Sequence, residues 1–251
     1  MESKRVGLIG FGAFGRLAAA HMAPHCELLV HDPAADSAEI RSAGAAAVSC
    51  TDAAGCDACV LAVPVQVLEQ VCLHLAPHLG EQTLVADVSS IKTGPVETML
   101  RTLPPHVEVL GTHPLFGPQT VGEVGLPGQS IALCPVRLSD KRLAEAREFL
   151  GNTLGLHIVE TTPDEHDRQM ALVQVVTHLV GHAASEMNLP ELPLATLAYK
   201  RLLQMKHNVE RDSEELFEAI QTLNPYAADV RRRFVDAVCK TEERVNKTAS
   251  R

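Results

Sequence analysis

The chain has 251 residues, 46% apolar and 21% charged, which excludes wholesale disorder and predicts one large domain or two modest ones. Its 31 acidic residues outnumber the 22 Lys and Arg residues, and the formal charge of −9 argues against nucleic acid or an anionic membrane as a partner. The longest uncharged stretch, Gln169–Ser185, is polar and shorter than the about 20 apolar residues that a bilayer span needs.

The cysteines and the first residues predict a reducing, cytoplasmic location. Glycines and Arg16 interrupt the apolar run after Arg5, unlike the core of a signal peptide. The seven cysteines are an odd number and lie in apolar segments. Cys56 and Cys59 have C-x-x-C spacing, but no second pair lies at a metal-site distance. We therefore interpret them as strand thiols and expect no metal site.

The first 160 residues alternate short apolar runs with helix-compatible stretches, the pattern of βαβ units and a mostly parallel sheet. Several apolar runs are continuous, which is typical of strands covered on both faces. The predicted strands are Arg5–Ile9, Glu27–His31, Ala58–Val63, Thr83–Val88, Glu108–Gly111, Ser130–Cys134 and Leu156–Glu160. The predicted helices between them are Phe14–Ala23, Val65–Ala76, Gly94–Arg101 and Asp140–Leu150.

The turn after the first predicted strand carries a dinucleotide-binding motif. Gly10-Phe11-Gly12-Ala13-Phe14-Gly15 has the spacing G-x-G-x-x-G between a strand and a helix. Gly10 permits the tight turn, Gly12 lets the backbone approach a pyrophosphate, and Gly15 lets the helix lie close to the strand. Free N–H groups at the helix N-terminus would hold the phosphates. The motif therefore predicts a Rossmann-type dinucleotide-binding domain over residues 1–160.

The second predicted strand leads into Asp32, 17 residues after Gly15. A carboxylate there can accept hydrogen bonds from both adenosine ribose hydroxyls and would repel a 2′-phosphate. No Arg follows at once to offset that repulsion, so the predicted cofactor is NAD. A second cofactor contact is predicted at Val63 and Pro64, where the third predicted strand ends toward the same crevice.

After residue 160 the pattern is helical throughout, which predicts an all-α domain over residues 161–251. Thr162, Pro163 and Glu165 form a strong helix start, with a cap, a proline at the first position and an acid three residues on. The predicted helices are Pro163–Asn188, Leu192–Asn208, Ser213–Leu223 and Ala227–Asn246.

Two loops carry polar residues at strand ends, where open α/β sheets bind ligands. They are Asp87–Lys92, which includes Ser90, and Gly111–Pro118, which includes His113. Their position favours a functional role for both Ser90 and His113.

A third polar set lies on the first predicted C-terminal helix. Gln174, His178 and His182 are four residues apart and should share one helix face. We interpret His166 and His182 as ordinary helical histidines. No third ligand accompanies His178 and His182, so a metal is not expected there.

The order of these motifs resembles that of the prephenate/arogenate dehydrogenases, which complete tyrosine biosynthesis. The resemblance covers nearly the whole chain, and the segments around His113 and Asp212 look especially like those of plant arogenate dehydrogenases. It rests on Gly10–Gly15, Asp87–Lys92, Thr112–Pro118, Glu165–Asp167 and Thr177–His178.

The resemblance implies oxidation of the ring carbinol carbon of prephenate or arogenate, with hydride transfer to a nicotinamide and loss of the ring carboxylate as CO2. It implies that His113 takes the proton of the 4-hydroxyl and that Ser90 hydrogen-bonds that hydroxyl or His113. It also places His178 near the substrate and implies a homodimer through the helical domain. Gln174, which should share the helix face of His178, is predicted as a further substrate contact.

Some positions leave the substrate open. Gln119 stands where many prephenate-type members have Glu, and the cation for the side-chain carboxylate is not fixed, with Lys200 and Arg211 as candidates. Asp164 could pair with the ammonium of arogenate, or it could simply favour the first helical turn.

Two other functions fit parts of the sequence. A β-hydroxyacid dehydrogenase would have a similar layout, but the Lys that such enzymes use is absent from Pro163–Asn188. A non-catalytic NAD sensor would keep the glycine motif but would not need both Ser90 and His113 at strand ends.

Overall fold

A computed structural model describes residues 4–249 of the chain. Its contacts divide the chain into two compact units, the first ending at His166 and the second beginning at Asp167. The sequence places the domain boundary earlier, between residues 160 and 161. The difference arises because the first turn of the next helix stays with the first unit, where the side chain of His166 contacts His113.

The first unit is built on one sheet of eight strands. The strands are β1 (Arg5–Ile9), β2 (Glu27–His31), β3 (Ala46–Ala47), β4 (Ala58–Leu61), β5 (Leu84–Asp87), β6 (Glu108–Pro114), β7 (Ser130–Arg137) and β8 (His157–Glu160). Their order is β3-β2-β1-β4-β5-β6-β7-β8, and only the β6–β7 pair is antiparallel. The mostly parallel sheet predicted from the sequence is therefore confirmed.

Helices cover both faces of this sheet. They are α1 (Ala13–Met22), α2 (Ser37–Ser42), α3 (Cys50–Ala54), α4 (Val65–Leu75), α5 (Thr93–Thr102), α6 (Pro118–Val124) and α7 (Asp140–Arg147). Leu8 of β1 packs in the hydrophobic cluster with α1 and α2, whereas its neighbour Ile9 packs in the cluster with α4 and α5. Successive strand residues point to opposite faces of the sheet, and both faces of β1 are covered by helices. Every position of β1 after Arg5 is therefore buried, which explains its continuous apolar run.

The register aligns the ends of β1, β4 and β5 with one another and with the middle of β6. Ile9 pairs with Leu61, Leu61 with Asp87, and Asp87 with Gly111, so one row crosses β1, β4, β5 and β6. At a spacing of about 4.8 Å per strand, this row is about 14 Å long. The glycine motif and the loops after β4 and β5 therefore leave the same edge of the sheet, beside the end of β6.

Among its described residues the second unit contains helices and the loops that join them, and no strand. A helix that starts in the first unit, α8 (Pro163–Met170), leads through a wide π-helical turn (Ala171–Val175) into α9 (Val176–Glu186). After these come α10 (Leu197–Val209), α11 (Glu214–Glu218), a second π-helical turn (Ala219–Leu223) and α12 (Ala227–Ala249). No helix within residues 4–249 has the length and apolar character needed to cross a membrane.

The predicted helix starting at Leu192 is wrong at its beginning. α10 starts five residues later, where the side chain of Thr196 accepts a hydrogen bond from the N–H of Tyr199. Pro193 interrupts the preceding segment, and the side-chain cap at Thr196 provides the actual start.

Candidate active site

The glycine motif forms a tight turn between β1 and α1. Gly10 has a φ of +101°, and a Cβ there would lie 2.3 Å from the carbonyl oxygen of Ala62. A Cβ on Gly15 would lie 2.3 Å from the carbonyl oxygen of Gly10, so α1 packs directly on the turn. A Cβ on Gly12 would have no atom within 4 Å. Two glycines are thus required by the fold itself, whereas Gly12 faces open space where a ligand can approach.

Asp32 closes one side of this turn. Its carboxylate accepts hydrogen bonds from the N–H of Phe11 at 2.6 Å and the N–H of Ala34 at 2.8 Å. Asp32 also lines a pocket of about 490 Å³, together with residues of α2 and of the segment after β3. Each carboxylate oxygen keeps a lone pair for a further donor, which a ribose hydroxyl could supply.

The two residues predicted as a second cofactor contact, Val63 and Pro64, lie between β4 and α4. The N–H of Ala62 donates to Ile9 at 2.8 Å, which holds this strand end against β1. A Cβ on Gly10 would lie 3.2 Å from Cγ1 of Val63, so Val63 packs beside the glycine turn. Pro64 comes next and occupies the N-cap position of α4, without a side-chain hydrogen bond.

The sequence predicts that the strand ends at Gly111 and that His113 lies in the loop after it. This prediction is wrong, because His113 lies within the strand. Strand β6 continues to Pro114, and His113 is only 4% exposed. The strand is longer because β7 keeps pairing with it beyond the end of β5, with His113 opposite Ala132. One edge of β6 is thus satisfied by β7 and the other has lost its strand partner.

A buried ion pair replaces that missing partner. Thr112 donates its N–H to Oδ1 of Asp87 at 3.3 Å, and its carbonyl oxygen accepts from Nζ of Lys92 at 2.6 Å. Lys92 and Asp87 are bonded to each other, and both side chains are 0% exposed. Buried backbone polar groups need partners, and here the ion pair supplies them next to His113. Asp87 also accepts from the N–H of Ser89 at 3.0 Å, which fixes the loop carrying Ser90.

His113 is paired with a second histidine. Its Nδ1 lies 2.9 Å from Nε2 of His166, and the two rings meet edge to face with centroids 5.1 Å apart. Burial, followed by His166 and the positive charge of Lys92, holds the pKa of His113 well below 6.5. The imidazole is therefore neutral at pH 7 and can accept a proton.

The sequence interpretation of His166 as an ordinary helical histidine missed this contact. His166 is 3% exposed and lies 53 residues from its partner, so no local pattern announces the pair. The sequence features that could have drawn attention to His166 are the helix start at Thr162 and its place in the Glu165–Asp167 motif.

The glycine helix lies near the segment that follows β6, and Ser90 lies in the loop after the neighbouring strand β5. Ser90 is half-buried and comes three residues after Asp87, the last residue of β5. Asp87 pairs with Gly111 of β6, and His113 comes two residues after Gly111. The rings of Phe14, in the glycine motif, and Phe116, three residues after His113, have centroids 6.3 Å apart. The dinucleotide turn and the strand of His113 are thus neighbours.

The remaining predicted substrate residues lie on α8 and α9 and the turn between them. Asp164 is exposed in the first turn of α8, and Gln174 is half-buried in the π-helical turn. His178 lies in α9 with Nδ1 4.0 Å from Oδ2 of Asp212, and burial together with His182 lowers its pKa to about 4. Gln174 lies in the π-helical turn, whereas His178 and His182 lie in α9 itself, and the helix face predicted to be shared by all three stays a prediction.

Residues 30–160, more than half of the chain, match the family model described as prephenate dehydrogenase, nucleotide-binding domain. The chain belongs to the prephenate dehydrogenase family. In this family member, residues 183–251 match a second model, described as TYRAAT1-like, C-terminal domain. The family resemblance drawn from the motifs is confirmed.

Named relatives of this prephenate dehydrogenase family member include plant proteins. Arogenate dehydrogenase 1, chloroplastic, of Arabidopsis thaliana is 29% identical over 239 residues, which are 92% of this chain and 37% of that protein. The chain spans less than two thirds of the length of the first curated relatives that it matches.

Two solved structures share the fold. Prephenate dehydrogenase from A. aeolicus, in complex with hydroxyphenyl propionate and NAD+, aligns with a TM-score of 0.75 at 18% identity, covering 100% of this chain and 93% of that one. Arogenate dehydrogenase of Synechocystis aligns with a TM-score of 0.70 at 19% identity, covering 96% and 93%.

Proposed function

We propose that the protein catalyses the NAD-dependent oxidative decarboxylation of a cyclohexadienyl substrate, arogenate or prephenate. The observation that carries this proposal is the buried, neutral imidazole of His113 beside a dinucleotide-binding turn. Membership of the prephenate dehydrogenase family and the plant arogenate dehydrogenase among the relatives support the same reaction.

NAD fits the residues at the glycine turn. Gly12 leaves room for the pyrophosphate, the first turn of α1 has no side-chain cap, and Asp32 retains acceptor sites for ribose hydroxyls. When bound, NAD supplies the acceptor for the hydride that leaves the ring carbinol carbon. Val63 and Pro64 would contact the cofactor from the end of β4.

His113 would manage the proton of the substrate's 4-hydroxyl. Nε2 of His113 takes this proton as hydride leaves the ring carbon that bears the hydroxyl, and that carbon becomes a carbonyl carbon. Loss of the ring carboxylate as CO2 leaves its bonding electrons to aromatise the ring, and the resulting phenolate oxygen can take the proton back from His113. Ser90 would hydrogen-bond the hydroxyl or the imidazole.

We further propose that Gln174 and His178 contact the substrate. Nδ1 of His178 is buried and has no hydrogen-bond partner within residues 4–249, which suits a side chain that a ligand completes. Asp164 is exposed in the first turn of α8, and we propose that its carboxylate pairs with the ammonium group that arogenate has and prephenate lacks. Such a pair would favour arogenate.

A homodimer through the helical region is also proposed. Several large apolar side chains of the second unit are exposed, among them Leu194 at 94%, Met187 at 69% and Leu197 at 65%. Exposed apolar surface of this kind marks protein–protein contacts. A cytoplasmic location stays a proposal, since the Arabidopsis relative is described as chloroplastic.

The test is turnover by the purified protein. Arogenate and prephenate are each incubated with NAD and with NADP, and formation of the reduced cofactor is followed by its absorbance. We expect NADH with at least one substrate and a faster reaction with NAD than with NADP. Tight NAD binding without turnover of either substrate would refute the proposed reaction and favour the sensor.

Two glycine substitutions separate cofactor binding from folding. We expect Gly12→Ala to leave thermal stability unchanged but to weaken NAD binding roughly tenfold or more, because the new Cβ occupies the space for the pyrophosphate. Gly15→Ala should instead destabilise the fold by about 1–3 kcal/mol, because its Cβ meets the Gly10 carbonyl. Calorimetric NAD titration and thermal unfolding measure both effects. Equal NAD affinity in Gly12→Ala and wild type would contradict the phosphate site.

Asp32→Asn tests the choice between cofactors. Loss of charge-assisted hydrogen bonds to the ribose should weaken NAD binding by about 10- to 100-fold. NADP binding should weaken less than NAD binding, because the substitution also removes the charge that repels the 2′-phosphate. The ratio of the two dissociation constants should therefore move closer to one. Dissociation constants for both cofactors measure this, with the exposed Asp140 changed to Asn as the matched control. An unchanged ratio of the two constants would exclude Asp32 from the ribose site.

A further inference from the structure

The pair formed by His113 and His166 restricts where the proton of His113 can lie. Nδ1 of His113 and Nε2 of His166 are 2.9 Å apart, so one of the two nitrogens carries a hydrogen and the other accepts it. A neutral imidazole has one N–H and one lone pair. The choice of donor in this contact therefore decides whether Nε2 of His113 holds a lone pair or a hydrogen.

Only one of these arrangements gives a base. If His166 donates, His113 carries its hydrogen on Nε2 and can only donate to a substrate hydroxyl. If His113 donates from Nδ1, its Nε2 has a lone pair, and no described residue bonds to that nitrogen. We propose that His166 is a positioning residue that holds His113 in the tautomer with a proton on Nδ1 and a lone pair on Nε2. The inference rests on the proposed oxidation, which assigns His113 the role of base.

The contact also gives the protonated ring a hydrogen-bond acceptor. When Nε2 takes a proton, both ring nitrogens of His113 carry hydrogens, and Nδ1 can keep its bond to His166. Burial, followed by His166 and the ammonium of Lys92, lowers the pKa of His113, so this cation gives its proton back readily. Asp87, the ion-pair partner of Lys92, offsets part of the repulsion from the ammonium.

The position of His166 is fixed by its own helix start. The side chain of Thr162 accepts a hydrogen bond from the N–H of Glu165 at 3.2 Å, and the N–H of His166 donates to the carbonyl of Thr162 at 2.9 Å. Thr93 donates its hydroxyl to the carbonyl of Pro163 at 3.4 Å, which ties this helix start to the residue after Lys92. The second imidazole therefore approaches His113 from a fixed backbone.

The wild-type protein allows the first test, without turnover. Protein labelled with 15N in its histidine side chains is studied by NMR with and without NAD, and signals are assigned by single histidine substitutions. We expect the Nδ1 resonance of His113 to be that of a protonated nitrogen and the Nε2 resonance that of an unprotonated one. The opposite assignment would overturn the proposal, whatever the activity of the enzyme.

Variants of His166 give the second test. His166→Met keeps the bulk but cannot accept from His113, whereas the side-chain oxygen of His166→Gln can. We expect kcat to fall roughly 10- to 100-fold in His166→Met, with KM nearly unchanged and the Nδ1 signal of His113 altered. His166→Gln should recover most of kcat and the wild-type tautomer.

The controls distinguish positioning from a purely structural role. His157→Gln, at an exposed position on β8, should change neither quantity. Equal losses in His166→Met and His166→Gln, or an unchanged tautomer in both, would overturn the positioning role. If the wild type turns over neither substrate, the proposed function fails, but the NMR result still decides the tautomer.

Discussion

Replacing His113 with Asn is expected to lower kcat at least about 10²-fold, the scale of a lost general base, while NAD affinity stays nearly unchanged. Asn can hydrogen-bond the substrate hydroxyl but cannot accept its proton. The cofactor contacts proposed for the glycine turn and Asp32 do not involve this side chain. Steady-state kinetics with the preferred substrate and calorimetric titration with NAD measure the two quantities.

The matched control for this variant is His157→Asn, which alters an exposed histidine of the same unit. It should keep wild-type kinetics.

The wild-type pH profile adds a second measurement. Because burial and the neighbouring His166 and Lys92 keep the pKa of His113 well below 6.5, kcat/KM should remain level as the pH falls to 6.5 and decline only below it. Full activity in His113→Asn would remove this residue from the proposed reaction.

Replacing Lys92 with Met is expected to lower the free energy of unfolding by about 3–5 kcal/mol. The substitution leaves the carboxylate of Asp87 buried without its cation and removes the hydrogen bond to the carbonyl of Thr112. The end of β6 would lose the hydrogen bond that holds Thr112, and His113, the next residue, would move from its position. Chemical denaturation measures the stability, and kinetics should show a fall in kcat.

A second substitution tests whether the loss comes from the unpaired charge. In Lys92→Met with Asp87→Asn, no charge remains buried, and the amide oxygen can keep one of the two hydrogen bonds that the carboxylate oxygens accept from Thr112 and Ser89. We expect this double variant to regain at least about 1 kcal/mol relative to Lys92→Met. Lys141→Met, which alters an exposed lysine, should change stability by less than about 0.5 kcal/mol. A stability loss in Lys92→Met no greater than in this control would contradict the role of the ion pair.

Local sequence patterns contain most of the information for the sheet and its cofactor turn. The continuous apolar run of β1 reports burial on both faces, and the spacing of Gly10, Gly12 and Gly15 reports the turn that the structure contains. The short helices α2 and α3 escaped prediction because they have only six and five residues, too few for a helical period, and begin at the side-chain caps Asp36 and Ser49.

The candidate site was less predictable because its contacts are distant in sequence. The extension of β6 through His113 depends on pairing with β7 and on the ion pair between Asp87 and Lys92. The bond to His166 joins residues 53 apart and has no periodic signature. The sequence could therefore indicate His113 as a functional residue but not the groups that control its proton.

The most direct test of the proposed site is a crystal structure of the protein with NAD+. The proposal predicts the pyrophosphate at Gly12 and the first turn of α1, the adenosine ribose on Asp32, and the nicotinamide ring beside His113. A cofactor bound elsewhere, or bound at the glycine turn with its nicotinamide directed away from His113, would contradict it.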